Sequence, residues 1–104
     1  MEAIETIKNI VDSNPVVIFM KGSPQFPQCG FSSRTVDALK ACEVDFHHVD
    51  VIANPQIKEA LPAFSEWPTF PQVFVNGELI GGCDLVLGMY QSGDLQRMTA
   101  EATS

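Results

Sequence analysis

The apolar positions of this chain follow helical and strand periods in turn, and they predict an ordered series of helices and strands. Ile4, Ile7 and Val11 recur at helical spacing and predict an amphipathic helix. Pro15 should end it, because the residue before a proline avoids the helical region. The five apolar residues Val16–Met20 fit a central strand covered on both faces, although a buried helix segment has the same pattern.

A second helix and a second strand follow. Residues 29–42 have helical spacing, with Val36 and Leu39 as core positions, and residues 45–51 fit a strand. A strand, a helix and a strand in this order form a right-handed βαβ unit with parallel strands. Asn54 and Pro55 then mark a third helix as its N-cap and first residue, which Pro62 is expected to shorten or kink.

The rest of the chain predicts a hairpin and a final helical region. Residues 72–75 and 78–80 flank Asn76-Gly77, a strong hairpin signal because both turn positions take positive φ. Asp84 is expected to cap a helix that Gly93 breaks, followed by one more helical turn and a frayed tail over about residues 99–104.

These elements predict a single α/β domain over residues 1–104. A parallel pair followed by an antiparallel hairpin gives a four-stranded mixed sheet with helices on both faces, which is the thioredoxin-like arrangement. The length of 104 residues and the apolar fraction of 45% fit one modest core. In this fold a cysteine directly after the first central strand lies where an active site is expected, and Cys29 has that position.

Composition excludes some classes of function. The net charge of -7 argues against binding along a nucleic-acid backbone, which needs clustered lysine and arginine. No apolar run approaches the roughly 20 residues that span a membrane, and the first eight residues do not resemble a signal peptide. With three cysteines, an odd number, the chain is expected to be cytoplasmic, with free or metal-bound thiols.

Cys29 is the candidate reactive group. It precedes a predicted helix, whose free N–H groups and dipole favour an anion such as a thiolate. A free cysteine can also be an inert buried residue, and this alternative stays open. Ser32 has the position that a second cysteine takes in a Cys-x-x-Cys site, so no local disulfide can form; it can also satisfy backbone donors in the first helical turn.

Three motifs in register resemble the monothiol glutaredoxins of the CGFS type. They extend over most of the chain, from about Ile4 to Met98. They comprise Lys21-Gly22-Ser23-Pro24 with Cys29-Gly30-Phe31-Ser32, then Trp67-Pro68-Thr69-Phe70-Pro71-Gln72, and Gly81-Gly82-Cys83-Asp84.

The resemblance implies a binding site for glutathione. Lys21 would contact its glycine carboxylate, and Lys58 has the position of a family arginine, so that it keeps the charge without the bidentate fork. Either lysine can instead be a solvated surface residue. The resemblance also implies a cis bond before Pro71, with the backbone of Phe70 free to pair with the ligand, whereas an ordinary X-Pro bond is trans. Trp67 would pack at the rim of this groove.

The motif at residues 81–84 would bind the other end of glutathione. Backbone N–H groups near Cys83 and Asp84 fit its γ-glutamyl carboxylate, and the Asp84 side chain fits its ammonium; a plain N-cap is the alternative for Asp84. Cys83 is either a small residue at a tight turn or a disulfide partner of Cys29. Cys42, roughly 20 Å away along the helix, is interpreted as structural.

The resemblance implies a carrier of iron–sulfur clusters. Two Cys29 thiolates and two glutathiones would supply the four sulfur ligands of a 2Fe–2S cluster at a homodimer interface, for transfer to acceptor proteins, with a BolA-like protein as a possible partner subunit. The first alternative is a glutathione-dependent thiol–disulfide oxidoreductase that removes glutathione from proteins. The second is a thioredoxin-like interaction module with an inert cysteine. A zinc site at His47 and His48 is disfavoured, because neighbours on a strand point to opposite faces.

Overall fold

The computed structural model describes residues 2–104. Over these residues the helices and strands follow one another in the predicted order, and a fifth helix comes at the end. The elements are α1 (Glu2–Ser13), β1 (Val16–Met20), α2 (Gly30–Ala41), β2 (His47–Asp50), α3 (Pro55–Ser65), β3 (Gln72–Val75), β4 (Glu78–Gly81), α4 (Cys83–Ser92) and α5 (Asp94–Thr103).

The four strands form one mixed sheet in the order β2-β1-β3-β4. β1 is parallel to β2, with Val17 opposite His47, and antiparallel to β3, with Val17 opposite Phe74. β3 and β4 form the predicted hairpin, whose turn residues Asn76 and Gly77 both have positive φ. The fold is therefore the predicted thioredoxin-like arrangement.

The strictly apolar β1 contributes to cores on both faces of the sheet. Val16, Ile18 and Met20 pack in one core with α2, α4 and α5. Val17 and Phe19 pack in the other core with α1 and α3. All five residues of β1 are fully buried, as expected for a strand covered on both sides.

Two expectations about helices were wrong. Pro62 does not shorten α3, which continues past it to Ser65; a kink at Pro62, the other form of that expectation, stays a prediction. Residues 99–104 are not a frayed tail, since α5 continues to Thr103. Thr99 is fully buried there, and its hydroxyl is satisfied because it donates a hydrogen bond to the carbonyl of Leu95 at 2.8 Å.

Candidate functional site

A groove of about 940 Å³ lies at the end of the sheet where β1 ends. Its wall residues come from the start of α2, from α3, from the segment before β3 and from the start of α4. All seven predicted site residues line it, namely Lys21, Cys29, Lys58, Phe70, Pro71, Cys83 and Asp84. The sequence prediction therefore identified positions that the fold brings together; their binding roles remain predictions.

Cys29 is the N-cap residue of α2, with extended backbone at φ −150° and ψ 135°. Its carbonyl accepts the N–H of Ser33 at 2.9 Å, so the backbone of Cys29 is joined to the first turn of the helix. The pKa of the Cys29 thiol is lowered, first by a hydrogen bond from the backbone N–H of Ser32. The N–H of Phe31, the charge of Lys21 and the Ser32 hydroxyl lower the pKa further, against an opposing effect of burial.

Ser32 links this thiol to the end of β1. Its side chain is fully buried, and its Oγ accepts the backbone N–H of Lys21 at 3.2 Å. A hydroxyl can accept and donate at once, so Ser32 holds the backbone of Lys21 while its hydrogen stabilises the Cys29 thiolate. Ser32 had been expected to satisfy backbone donors in the first turn of its own helix, but the donor it accepts is the N–H of Lys21, the residue directly after β1.

Residues 21–28 form a small hairpin before Cys29. The carbonyl of Lys21 accepts the N–H of Gln28 at 2.9 Å, and Ser23 and Phe26 exchange two backbone hydrogen bonds at the tip. Gly22 pairs with Pro27 and has a φ of +91°. The side chain of Phe26 is 75% exposed, so this hairpin presents an apolar group beside the groove.

Lys58 lies on the exposed face of α3, on the opposite wall from α2. Pro62 lies one turn further along the same helix and also lines the groove. The two groove lysines, Lys21 and Lys58, are two of only six basic residues in an acidic chain. The groove therefore concentrates positive charge, which favours an anionic ligand.

The segment before β3 supplies the floor of the groove. The peptide bond between Phe70 and Pro71 is cis, which confirms what the family resemblance implied. The buried side chain of Gln72 donates to the carbonyls of Trp67 and Thr69 at 2.9 and 3.1 Å. Because the ladder between β1 and β3 begins at Gln72, Phe70 precedes the paired strand and its backbone lies at the groove.

The last wall is the start of α4. Asp84 had been expected to be the N-cap of α4, but the N-cap residue is Gly82. The carbonyl of Gly82 accepts the N–H of Val86 at 3.0 Å. The helix begins earlier because Gly82 already has the extended backbone of a cap residue. Asp84 is exposed in the first turn, where a carboxylate interacts favourably with the helix dipole, and Cys83 is buried.

Close packing at Gly82 brings α4 against the floor. A methyl group at Gly82 would lie 3.1 Å from the carbonyl of Pro71 and 3.2 Å from Nε1 of Trp67. The indole of Trp67 therefore packs beneath the start of α4 and lines the groove, which agrees with its predicted packing role.

Several groove residues were not predicted. Phe31 and Leu85 are 55% and 50% exposed and line the groove in the first turns of α2 and α4. The sequence signal that could have identified Phe31 and Leu85 is an apolar residue in the first turn of a helix, next to a candidate site residue. Pro62, Pro68, Thr69 and Gly82 complete this set.

Other candidates lie outside the groove. Cys42 is the C-cap of α2, and burial raises the pKa of its thiol. His47 and His48 are exposed on the edge strand β2. In residues 2–104, no three His, Cys, Asp or Glu side chains are grouped to hold a metal ion. All three cysteines are free thiols.

The search for membrane-spanning helices covered the same described residues. Among them, none of the helices combines the length and the apolar character needed to cross a bilayer.

Comparison with known proteins identifies the family. Residues 16–80, more than half of the chain, match the sequence model of the glutaredoxins. Glutaredoxin 4 of Pasteurella multocida (strain Pm70) is 51% identical over 104 residues, covering 100% of this chain and 95% of that protein.

Solved structures agree with this match. Reduced poplar apo GrxS14 has a TM-score of 0.81 at 43% identity, covering 94% of this chain and 90% of that one. The buckwheat glutaredoxin–glutathione complex has a TM-score of 0.85 at 29% identity, covering 97% of this chain and 90% of that one. With Ser32 in place of a second active-site cysteine, this chain belongs to the glutaredoxin family, in its monothiol, CGFS-type branch.

Proposed function

We propose that this glutaredoxin binds a 2Fe–2S cluster between two copies of the chain and transfers it to acceptor proteins in iron–sulfur cluster biogenesis. The observation that carries the proposal is the position of Cys29, a thiol of lowered pKa at the edge of an open groove, with Ser32 where a Cys-x-x-Cys site has its second cysteine. Cys83 lines the same groove but is buried, so the proposal takes the second sulfur from glutathione.

The number of ligands supports a shared cluster. A 2Fe–2S cluster takes four sulfur or nitrogen ligands, and each chain offers one helix-capping thiolate, Cys29. Two chains and two glutathione thiolates supply the required four. Because glutathione is a dissociable ligand, a cluster held in this way is suited to delivery, and we treat it as cargo.

The groove fits glutathione by its chemistry. Lys21 and Lys58 offer positive charge for the glycine carboxylate, and the backbone of Phe70 before cis-Pro71 can pair with an extended peptide. The first N–H groups of α4, at Cys83 and Asp84, are unpaired within the helix and favour a carboxylate, while the Asp84 carboxylate fits an ammonium. A glutaredoxin of the same fold has been crystallised with glutathione.

The proposed partners follow from this assembly. They are glutathione, a second copy of the chain when the cluster is bound, a BolA-like protein in place of that copy, and iron–sulfur acceptor proteins in the cytoplasm. Phe31 and Leu85 are exposed and line the groove with Cys29, and Phe26 is exposed in the hairpin that precedes it; these side chains give a partner protein apolar surface to contact.

Anaerobic reconstitution tests the proposal. With ferrous iron, sulfide and reduced glutathione, the chain should gain visible absorption and circular dichroism and elute as a dimer in size-exclusion chromatography. Omission of glutathione or the change Cys29→Ser should abolish both signals, because either removes half of the sulfur ligands.

Cys42→Ser is the matched control, since Cys42 is a thiol outside the groove. It should form the coloured dimer like the unchanged chain. A coloured dimer that survives Cys29→Ser would contradict the proposal.

The lowered pKa of Cys29 also favours a second candidate, a glutathione-dependent oxidoreductase. The Cys29 thiolate would attack the glutathione sulfur of a glutathionylated protein, release the protein thiolate and become Cys29–S–SG. A second glutathione would then displace Cys29 and leave as glutathione disulfide. Robust turnover in this reaction, with no cluster formed on reconstitution, would favour the enzyme over the carrier.

A further inference from the structure

Asp50 is the last residue of β2, and its carboxylate contacts two segments of the chain. Its Oδ1 accepts the backbone N–H of Gly22 at 3.0 Å. The same oxygen accepts the N–H groups of Ile52 at 2.9 Å and Ala53 at 3.4 Å. Gly22 directly follows Lys21, whereas Ile52 and Ala53 form the turn that leads into α3.

The main chain of Asp50 extends this connection to Lys58. Its carbonyl accepts a hydrogen bond from Nδ2 of Asn54 at 2.9 Å. Asn54 is the N-cap residue of α3, and its own carbonyl accepts the N–H of Lys58 at 3.1 Å. Asp50 therefore lies between the two segments that carry the groove lysines.

The backbone at Lys21 is held from both sides. Ser32 Oγ accepts the N–H of Lys21, and Asp50 Oδ1 accepts the N–H of the next residue, Gly22. Hydrogen bonds from backbone N–H groups to a carboxylate are stronger than those between neutral groups. The half-buried position of Asp50 also reduces competition from water.

We propose that Asp50 is a positioning residue of the groove, which fixes Lys21 and Lys58 relative to each other so that both reach the glycine carboxylate end of glutathione. The carboxylate of Asp50 does not touch the ligand in this arrangement; it acts through the two backbone segments. The inference rests on the proposed glutathione binding, and its test does not depend on the cluster.

The test measures the equilibrium of the mixed disulfide between Cys29 and glutathione. In the exchange, Cys29–SH and glutathione disulfide give Cys29–S–SG and one reduced glutathione, so atoms and electrons balance. The Cys29 peptide is quantified by mass spectrometry over a series of glutathione redox buffers, for the unchanged chain and for three variants.

Asp50→Ala should lower the equilibrium constant for formation of the mixed disulfide by about twofold to fivefold. This is the range that a partly exposed ion pair contributes, and the pair that would be weakened is that of the groove lysines with the glycine carboxylate of glutathione. Asp50→Asn keeps an acceptor oxygen and should recover part of the loss. Asp37→Ala removes an exposed carboxylate of α2 that does not line the groove and should have no effect. Hydrogen exchange at the Gly22 amide should accelerate in Asp50→Ala and stay slow in Asp50→Asn.

A mutant cycle separates positioning from general damage. In a Lys21→Ala Lys58→Ala background, Asp50→Ala should have little further effect, because the groups it positions are gone. A full effect in that background, or no effect of Asp50→Ala in the unchanged chain, would overturn the inference alone. If the two lysine changes leave the equilibrium unaltered, the proposed glutathione site fails with it.

Discussion

At the scale of single residues, the site is built from groups that each have two structural tasks. Cys29 caps α2 and presents its thiol to the groove. Ser32 accepts the N–H of Lys21 and lowers the pKa of Cys29, first through its backbone N–H and to a smaller extent through its hydroxyl. Because the same residues serve both tasks, a substitution at either residue should change both the pKa of the Cys29 thiol and the backbone contacts at the end of β1.

The first prediction concerns the reactivity of Cys29. The thiolate is the nucleophile, and the lowered pKa gives Cys29 a larger thiolate fraction near neutral pH than an unperturbed thiol has. Its alkylation by iodoacetamide should therefore rise with pH through a midpoint below that of free cysteine. Cys42, whose pKa is raised by burial, should react more slowly at pH 7.

Ser32→Ala should shift that midpoint upward, because the hydroxyl is lost and the backbone of Lys21 loses its acceptor. The Ser32 N–H remains, so part of the lowering should persist. The rates can be followed by mass spectrometry of the separate cysteine peptides. Faster alkylation of Cys42 than of Cys29 at pH 7 would refute this account.

The sequence motifs and the family resemblance predicted which residues meet in the groove but not the contacts between them. Cys29, Pro71 and Asp84 lie at junctions between strands and helices, and the fold class places such junctions at one end of the sheet. Phe31 and Leu85 were missed because an apolar residue in a helix normally indicates the core. The hydrogen bond from the N–H of Gly22 to Asp50 joins residues 28 positions apart, and no local pattern records such a contact.

At the scale of elements, the hairpin of residues 21–28 depends on one backbone conformation. Gly22 has a φ of +91°, and a Cβ atom there would lie 2.5 Å from the carbonyl of Phe26 and 2.7 Å from the N atom of Gln28. Both contacts are to backbone, which cannot rotate away as a side chain can. The path of the chain before Cys29 therefore depends on glycine at this position.

The second prediction is that Gly22→Ala destabilises the chain by at least about 1 to 2 kcal/mol, the cost of the left-handed conformation for a residue with a Cβ atom. Gly88→Ala is the matched control, because Gly88 lies within α4 and a Cβ atom there meets nothing within 4 Å. It should stabilise the chain by about 0.5 to 1 kcal/mol.

Urea denaturation of both variants checks this pair. The free energies of unfolding should move in opposite directions from that of the unchanged chain. A Gly22→Ala variant as stable as Gly88→Ala would show that the hairpin accommodates a side chain at this position.

Element boundaries were predicted best where a proline or a turn marks them. Gln72–Val75 was predicted correctly because Pro71 precedes it and Asn76-Gly77 follows it. The predicted second strand, over residues 45–51, was longer than the observed His47–Asp50. The end of α5 was missed because Thr99 was taken as a polar tail residue, whereas its hydroxyl is satisfied within the helix and its side chain is buried.

At the scale of the whole molecule, α5 closes the core on one face of the sheet. Leu95 and Thr99 are fully buried, and Ala102 packs against the same core. The groove lies at the other end of α4 from α5, whose first residues follow Gly93. The groove lining includes no residue of α5, so the part of the core that the last turns of α5 cover is separate from the groove.

The third prediction follows from this separation. Deletion of residues 99–104 should lower the free energy of unfolding by about 1 to 3 kcal/mol, the usual range for damage to a packed core, because it uncovers the face that Thr99 and Ala102 cover. Deletion of Ser104 alone should change it by less than about 0.5 kcal/mol, since this residue is exposed. Thermal or urea denaturation distinguishes the two chains.

In the shorter chain, the alkylation profile of Cys29 should stay unchanged at temperatures where that chain remains folded. An equal stability of the two deletion variants would contradict the structural role of the last turns of α5.

The hydrogen bond between Ser32 and Lys21 also bears on the evolutionary paths open to this site. Ser32→Cys would create a second thiol beside Cys29, yet sulfur is larger than oxygen and a weaker acceptor, and position 32 is fully buried. The substitution would gain a local disulfide and release the backbone of Lys21 in the same step. Ser32→Cys alone would therefore exchange a backbone contact at Lys21 for a possible disulfide, and a second substitution that holds Lys21 would be needed to keep both. The serine of this monothiol site is thus also part of the structure that holds the chain after β1.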